Sequence, residues 1–400
     1  MGYSKNHNMA DFILKPSINE QKDNVRKISI PFDILTEDER GDERRMVIFL
    51  GENFLHLPGT NLQKAYRLIN QCLDYVRREC AGYELYYKPH PKIKERDERE
   101  FLDLSGFNIT GNTVAELFYV KNIKKIKYVF AACSMASRTA YNMGLNSYTF
   151  MNIVGASFDP QTLEGFREFN KDMPPDFFIN SFSQPLKENR RTIAHSAELE
   201  RCISSIFTKK NGSVWFQITD PGNLADILAI VAQIRKIDPK RKVNLVIIKH
   251  HRWRVIPTND FREYFDEVVF LLRVFYSLRP GKLFRAIQTA RVIKKFPIQS
   301  EDIIIDSPGL GFAAACFASY FQKNIKIALM QNDTFRVLSG QRSYGRDLFR
   351  TRPGARFFNL ILEPLLGIER SIFIEDRRRI FNAGGYLRPI NDIFDHIWVY

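Results

Sequence analysis

The chain has no CxxC pair, and its five cysteines (Cys72, Cys80, Cys133, Cys202 and Cys316) lie far apart. An odd, scattered set supports neither a disulfide framework nor a thiolate metal site, and reads as the reduced core thiols of a cytosolic protein. No apolar run reaches membrane-spanning length, and the first thirty residues are polar with only short apolar runs, so neither a span nor a signal peptide is expected. Clustered acidic metal ligands are missing, so no metal is expected. A short-period repeat is missing too, which excludes a solenoid.

What remains is ordinary globular material with an unusual charge. The 400 residues are 44% hydrophobic and 26% charged, enough to bury sizeable cores in two domains and too apolar for wholesale disorder. A net charge of +14 implies an anionic partner: a nucleotide, an acidic glycan, a phospholipid surface or a nucleic acid. No recognisable nucleic-acid module occurs, and the positive charge is spread over many segments, so nucleic acid is the least expected of these.

The order of apolar segments predicts an α/β fold with two Rossmann-like domains. Residues 1–44 are polar and read as a tail or linker in which only Ile28 to Leu35 packs. Residues 45–155 alternate strand and helix, with strands at Arg45–Leu50, Tyr83–Tyr87, Tyr128–Ala132 and Tyr148–Met151. The first helix, over Asn61 to Cys80, shows helical apolar spacing through Leu62, Ala65, Leu68, Ile69, Cys72 and Val76. Residues 156–212, with Pro160, Pro174, Pro175 and Pro185, read as an extended linker with one helix near Ile193 to Phe207. Residues 213–400 form a second α/β unit with strands at Val214–Ile218, Val243–Ile248, Asp302–Asp306 and Ile325–Met330. Phe357–Gly367 and Ser371–Ala383 read as helices.

Two motifs carry chemistry. Lys88-Pro89-His90-Pro91 leaves a buried strand as a stiff loop, because each proline fixes its own φ and biases its neighbour toward extended backbone. The loop presents a cation and a titratable donor where open α/β sheets hold ligands. Ala132 to Ser137 turns from a strand into a helix whose start carries Ser134 and Ser137, and free N–H groups with hydroxyls at a helix start form an anion site. Each has a plainer reading: His90 as a loop histidine, the serines as N-caps. Glu116 is either a solvated helix residue or an acceptor for ribose hydroxyls.

Further on, Gly309-Leu310-Gly311-Phe312-Ala313-Ala314 has the G-x-G-x-x-A outline of a dinucleotide turn, with Asp333 a little over twenty residues later. Small residues for close helix–strand packing explain it better, because Asp306-Ser307-Pro308 intervenes between the strand and the first glycine and loosens the turn. Lys249 to Arg254 is a basic, aromatic-tipped strand end that suits a nucleic acid, an acidic glycan or a phosphate, whereas Phe349 to Arg356 and Arg377 to Arg379 are basic stretches whose plain reading is a solvated helix face.

These residues carry a resemblance. Residues 45–150 resemble the nucleotide-sugar half of bacterial GT-B glycosyltransferases, above all the sialyltransferases of capsule and lipooligosaccharide synthesis (glycosyltransferase family 52 and the capsular polysialyltransferases). The likeness rests on Val47 to Phe54, on the HP motif His90-Pro91, on Glu116, and on Ser134 with Ser137 in place of adjacent serines. Residues 213–385 are more weakly similar to the acceptor half. There an acidic pair followed by glycine would carry the catalytic base, and this chain reads Gln331-Asn332-Asp333-Thr334-Phe335.

The resemblance implies a cytoplasmic transferase, peripheral at the inner membrane, that moves a CMP-activated sugar, sialic acid foremost, to an acidic glycan or glycolipid acceptor. It implies no cofactor beyond the CMP-sugar donor. Lys88, His90, Pro91, Glu116, Ser134 and Ser137 would bind the nucleotide, and His90 and Asp333 would act in catalysis. His90 and Ser134 are expected at the ends of adjacent strands. The two halves occur in the reverse of the family's order, which implies a permuted chain, a tandem pair or an incomplete reading frame. A non-catalytic scaffold that binds an acidic glycan or partner protein is the alternative, and an NAD-dependent oxidoreductase a third.

Overall fold

The computed structural model describes residues 24–32, 45–52, 59–90, 100–111, 113–189, 197–219, 223–249, 262–274, 277–307, 312–330, 354, 357–368, 374–375, 384–385 and 394–399. Strand β1 (Val25–Lys27) belongs to a sheet whose other members come much later. Strand β2 (Met46–Leu50) is buried along its whole length, as a central parallel strand covered on both faces must be.

Helix α1 (Leu62–Glu79) begins where the Asn61 side chain accepts the Lys64 N–H at 3.0 Å. It buries Ala65, Ile69, Cys72, Leu73 and Val76 along one stripe and closes on Arg77 and Arg78, cations at the negative end of the helix dipole. There follow β3 (Glu84–Lys88), β4 (Asn108–Ile109), α2 (Ala115–Asn122), β5 (Ile126–Ala131), α3 (Met135–Asn142) and β6 (Asn146–Thr149). All pairings in this five-stranded sheet are parallel, in the order β4-β3-β2-β5-β6. Counted from β2 this is 3-2-1-4-5, the winding of a Rossmann half, with its switch point between β2 and β5. The last strand lies two residues earlier than the apolar run suggested, because Met151–Val154 is already a helical turn.

The stretch expected as an extended linker is packed. Helix α4 (Pro160–Phe169) starts at Asp159, whose carboxylate accepts the N–H groups of Gln161 and Thr162 at 2.9 and 3.0 Å. Phe158, Phe166 and Ile179 join the apolar cluster on the α1 side of the sheet. Pro160 suggested a break, but a proline at the first helical position removes an N–H that has no partner anyway. Helix α5 (Ala197–Phe207) lies within the helix expected near 193–207.

The second sheet contains β7 (Val214–Ile218), β8 (Val243–Lys249), β9 (Glu267–Leu272), β10 (Ile303–Asp306) and β11 (Ile325–Met330), interleaved with α6 (Leu224–Ile237), α7 (Pro280–Lys294) and α8 (Phe312–Tyr320). Strands β12 (Ile374–Glu375) and β13 (Gly384–Gly385) form a separate antiparallel pair, so the helix expected over 371–383 has strand at 374–375. Strand β14 (His396–Val399) returns to the sheet, whose order is β1-β14-β11-β10-β7-β8-β9, all parallel. From β7 this is 3-2-1-4-5-6 with β1 added at the edge.

The polar segment 1–44, expected as a tail or linker, therefore supplies an edge strand, and Ile28, Ile30 and Phe32 just after it are buried. An edge strand may be polar because one side of it faces solvent. Arg26 and Lys27 consequently gave no apolar signal.

One apolar cluster runs from Ile48, Leu50 and Val129 of the first sheet, through Leu117 and Val120 of α2 and Leu224 to Ile234 of α6, to Phe216, Leu245 and Ile305 of the second. Helices α2 and α6 pack directly against one another. Each sheet's other face has its own cluster, under α1 in the first and under α7 and α8 in the second. Cys72, Cys80, Cys133 and Cys316 are buried free thiols.

Candidate functional site

The carboxyl edge of the first sheet gathers most of the expected residues. Leu50 is in register with Lys88 on one side and Ala131 on the other. Two residues beyond that level stand His90, Glu52 and Cys133, followed by Ser134. The expectation that His90 and Ser134 end adjacent strands is corrected by the topology. Strand β2 lies between β3 and β5, and two strand spacings separate the ends by roughly 10 Å. The residue between them is Glu52, whose Oε1 accepts the Cys133 N–H at 2.8 Å across the switch point.

Gly51 makes the close packing of these loops possible. Its N–H donates to the Lys88 carbonyl at 2.8 Å, and a Cβ there would stand 2.5 Å from the Tyr87 hydroxyl and 3.2 Å from the His90 nitrogen. Any side chain would have to displace the Tyr87 ring and would crowd the His90 backbone.

Lys88 follows the alternation of its strand and turns to the same face as Tyr86, toward α2. It is buried. Its ammonium donates to the Thr113 carbonyl and lies 6.0 Å from the centre of the Phe118 ring. Burial lowers its pKa to about 8, and the carboxylate of Glu116 partly restores it. Glu116 and Glu52 together raise the pKa of Tyr119 after burial, the larger cause, has already done so. Burial, and then Glu52, likewise push the Cys133 thiol upward. An ammonium and two carboxylates are thus assembled within electrostatic reach at one end of the sheet. Carboxylates so placed accept hydrogen bonds from hydroxyls or amines, and the N-terminus of α3 beside them is the anion-binding end.

The two serines divide. Ser134 is the N-cap of α3: its hydroxyl oxygen accepts the Ala136 N–H at 3.3 Å, and the residue stays half-buried at the edge. Ser137 is buried, its hydroxyl donates to the Ser134 carbonyl at 2.6 Å, and its own carbonyl accepts from Ser147 at 2.7 Å. Ser137 therefore holds the turn together and faces inward. Pro91 and Asp333 lie outside the described residues, as do Gly309 and Gly311.

The second sheet has a switch point of its own, between β7 and β10. Gln217 and Asp306 are register partners there, both buried, on the face that α8 covers. The Ser307 N–H donates to the Gln217 carbonyl at 3.0 Å, and Asn223 donates to the Ser307 hydroxyl at 2.6 Å. Among the described residues, neither amide atom of the Gln217 side chain has a hydrogen-bond partner. The G-x-G-x-x-A run follows β10, fourth in the winding, whereas the dinucleotide turn follows the first strand, here β7.

Glu52, Gln217 and Asp306 were not among the expected residues. Each is a polar residue at the end of an apolar strand run (IFLGE, VWFQI and IIID), and that pattern marks the edge of an open parallel sheet. No family model, curated protein or solved structure matches this chain.

Proposed function

We propose that this chain is a glycosyltransferase that binds a CMP-activated sugar, sialic acid foremost, at the carboxyl edge of the five-stranded sheet. The observation that carries this reading is the shared level of three loops at that edge, bearing His90, Glu52 and Cys133-Ser134 beside the Lys88–Glu116 pair. Donors for a phosphate and acceptors for ribose or base lie within one site's width. The choice of CMP rests on the HP motif and the serines of the resemblance, and the two-domain GT-B arrangement is part of the same proposal. In it, an acceptor hydroxyl attacks the anomeric carbon as the bond to the CMP phosphate oxygen breaks, with inversion. Asp333 takes the hydroxyl proton, while His90 and the start of α3 stabilise charge on the departing phosphate. An acidic glycan or glycolipid is the acceptor.

The test is titration of CMP, with UMP as control, into the wild-type chain and His90→Ala. A charge-assisted contact to phosphate predicts a loss of roughly ten- to a hundredfold in CMP affinity, without unfolding. Equal affinity in the two proteins removes the site. Release of CMP from a CMP-sugar distinguishes a transferase from a binding scaffold, which releases none.

A further inference from the structure

Strands β1, β4, β6 and β9 form the edges of the two large sheets, and three of them are guarded against pairing with another chain. Strand β1 is three residues long, and two of these are cations. Strand β4 is two residues long. The outer side of β6 is taken by Asn189, whose amide accepts the Ser147 N–H at 3.0 Å and donates to the Ser147 carbonyl at 2.7 Å. Strand β9 differs from all three. It reads Glu-Val-Val-Phe-Leu-Leu from Glu267 to Leu272, with neither lysine nor proline, and among the described residues no strand pairs with its outer side. Val268 and Phe270 are only partly buried against the core under α6, and Leu272, on the same face by alternation, is 57% exposed.

Backbone direction decides which residues of β9 can meet a further strand. In a parallel ladder, successive residues turn their peptide groups to opposite neighbours. The Lys242 carbonyl, just before β8, accepts from Val214 of β7 at 2.9 Å, and the Lys249 carbonyl accepts from Arg273, just after β9, at 3.0 Å. Arg273 and, by alternation, Leu271, Val269 and Glu267 therefore address β8. Val268, Phe270 and Leu272 address the open side. Two identical strands pair antiparallel about a two-fold axis when such outward residues face one another. With Phe270 on the axis, Val268 faces Leu272 of the second copy and covers it. Val269 then faces Leu271, and Glu267 faces Arg273, at the positions between the bonded pairs, where opposed side chains lie closest. The stretch from Glu267 to Arg273 is thus complementary to its own reverse: apolar within, with opposite charges at its two ends.

We infer that β9 pairs antiparallel with β9 of a second copy of this chain, so that the seven-stranded sheet runs on through a two-fold dimer. Each copy has one such edge, so assembly stops at two. The interface uses no residue of the nucleotide site, and its test needs no donor. Sedimentation velocity of the full chain over a concentration series should show a mass rising from 46.7 kDa to twice that value and no further. Glu267→Lys and Arg273→Glu each set like charges opposite one another twice per dimer, and each should weaken association roughly ten- to a hundredfold. In an equimolar mixture the two variants meet with opposite charges at both pairs and should dimerise with each other near the wild-type affinity. Leu272→Pro removes an outward N–H while leaving the bonds to β8, and it too should shift the protein to monomer. Unchanged circular dichroism and melting check that each variant folds, and Glu267 and Leu272 are both exposed. A wild type that stays monomeric overturns the inference, as do species larger than a dimer. Undiminished dimers in Glu267→Lys and Leu272→Pro would place the contact elsewhere, and a mixture of the charge variants that stays monomeric would refute the pairing of Glu267 with Arg273.

Discussion

The carboxyl edge of the five-stranded sheet carries an ammonium with one carboxylate acting on it and a second carboxylate nearby, whereas that of the seven-stranded sheet carries a buried amide and carboxylate set side by side on adjacent strands. Both sheets wind outward from a central strand in the same order, so topology alone assigns the same edge of each to ligands. The difference lies in how polarity is kept there. In the first sheet, the Lys88 ammonium is held by the Glu116 carboxylate and the Thr113 carbonyl, and the Glu52 carboxylate by the Cys133 N–H. In the second, Gln217 sits at 1% exposure in an otherwise apolar strand, with no hydrogen bond to its amide among the described residues. Similar architecture thus hosts one edge built of interacting charges and another with a buried amide that has no hydrogen bond among the described residues. The first is the better place for a charged ligand.

The most disruptive way to test the separateness of the two sheets is Leu117→Ala, in the helix that meets α6. Removal of a buried leucine from the shared core is expected to cost about 2–5 kcal/mol. If one core serves both sheets, urea unfolding keeps a single transition at a lower midpoint. Two transitions, of which only one moves, would show that the sheets unfold independently.

The charged edge is sharpened by Lys88→Met. The folded pKa of Lys88, about 8, lies below its ordinary 10.5, so between these values the unfolded chain holds the proton and the folded chain does not. Stability from this group is therefore fully present above about pH 10.5 and lost as pH falls through about 8. The wild type should gain up to about 3 kcal/mol over Lys88→Met as pH rises through that window. Urea melts of both proteins across it cancel the titrations of tyrosines and cysteines. A constant difference would mean that Lys88 is not desolvated.

For the uncharged edge, Gln217→Met replaces the amide with an apolar chain of similar length. Release of a buried polar group without partners should stabilise the fold by about 1–3 kcal/mol, read as a higher melting temperature. A lower one would show that the amide is satisfied. The smallest effects separate the serines. Ser134→Ala and Ser137→Ala should each cost about 1 kcal/mol, one through the helix cap and the other through the bond to the Ser134 carbonyl. Only Ser134→Ala should also weaken CMP binding; an equal loss in Ser137→Ala would return that residue to the site.

How much of this could be read beforehand follows from what leaves a local trace. Strands such as Met46–Leu50 and Val214–Ile218 are continuous or nearly continuous apolar runs because parallel strands are covered on both faces, and they are legible at sight. Strand β1 is three residues with two cations, and its partner lies at the far end of the chain, so no local pattern reports it. Helix α4 was hidden by the proline that opens it. At the site, Lys88 and Ser134 stand out by residue type where strands run out, and Glu116 by its place at the start of a helix. That Lys88 turns inward to Thr113, and that Ser137 is consumed by its own turn, depends on side-chain direction that spacing does not report. Strand order likewise decides that Glu52 stands between His90 and Ser134, and adjacency in a doubly wound sheet is not adjacency in sequence.

The pairing of β1 with β14 also has a consequence for the birth of the molecule. The Asn24 side chain donates to the Phe394 carbonyl across 370 residues of chain. At a ribosomal pace of about 5–20 residues per second, the first of these segments waits roughly 20–75 s for the second. Strand β11 is complete at Met330, so its open edge then stays unpaired for roughly 3–13 s more, until the chain reaches His396. A nascent chain stalled between Met330 and His396 would present both the free edge of β11 and an unpaired β1. Those are the features that chaperones and proteases recognise.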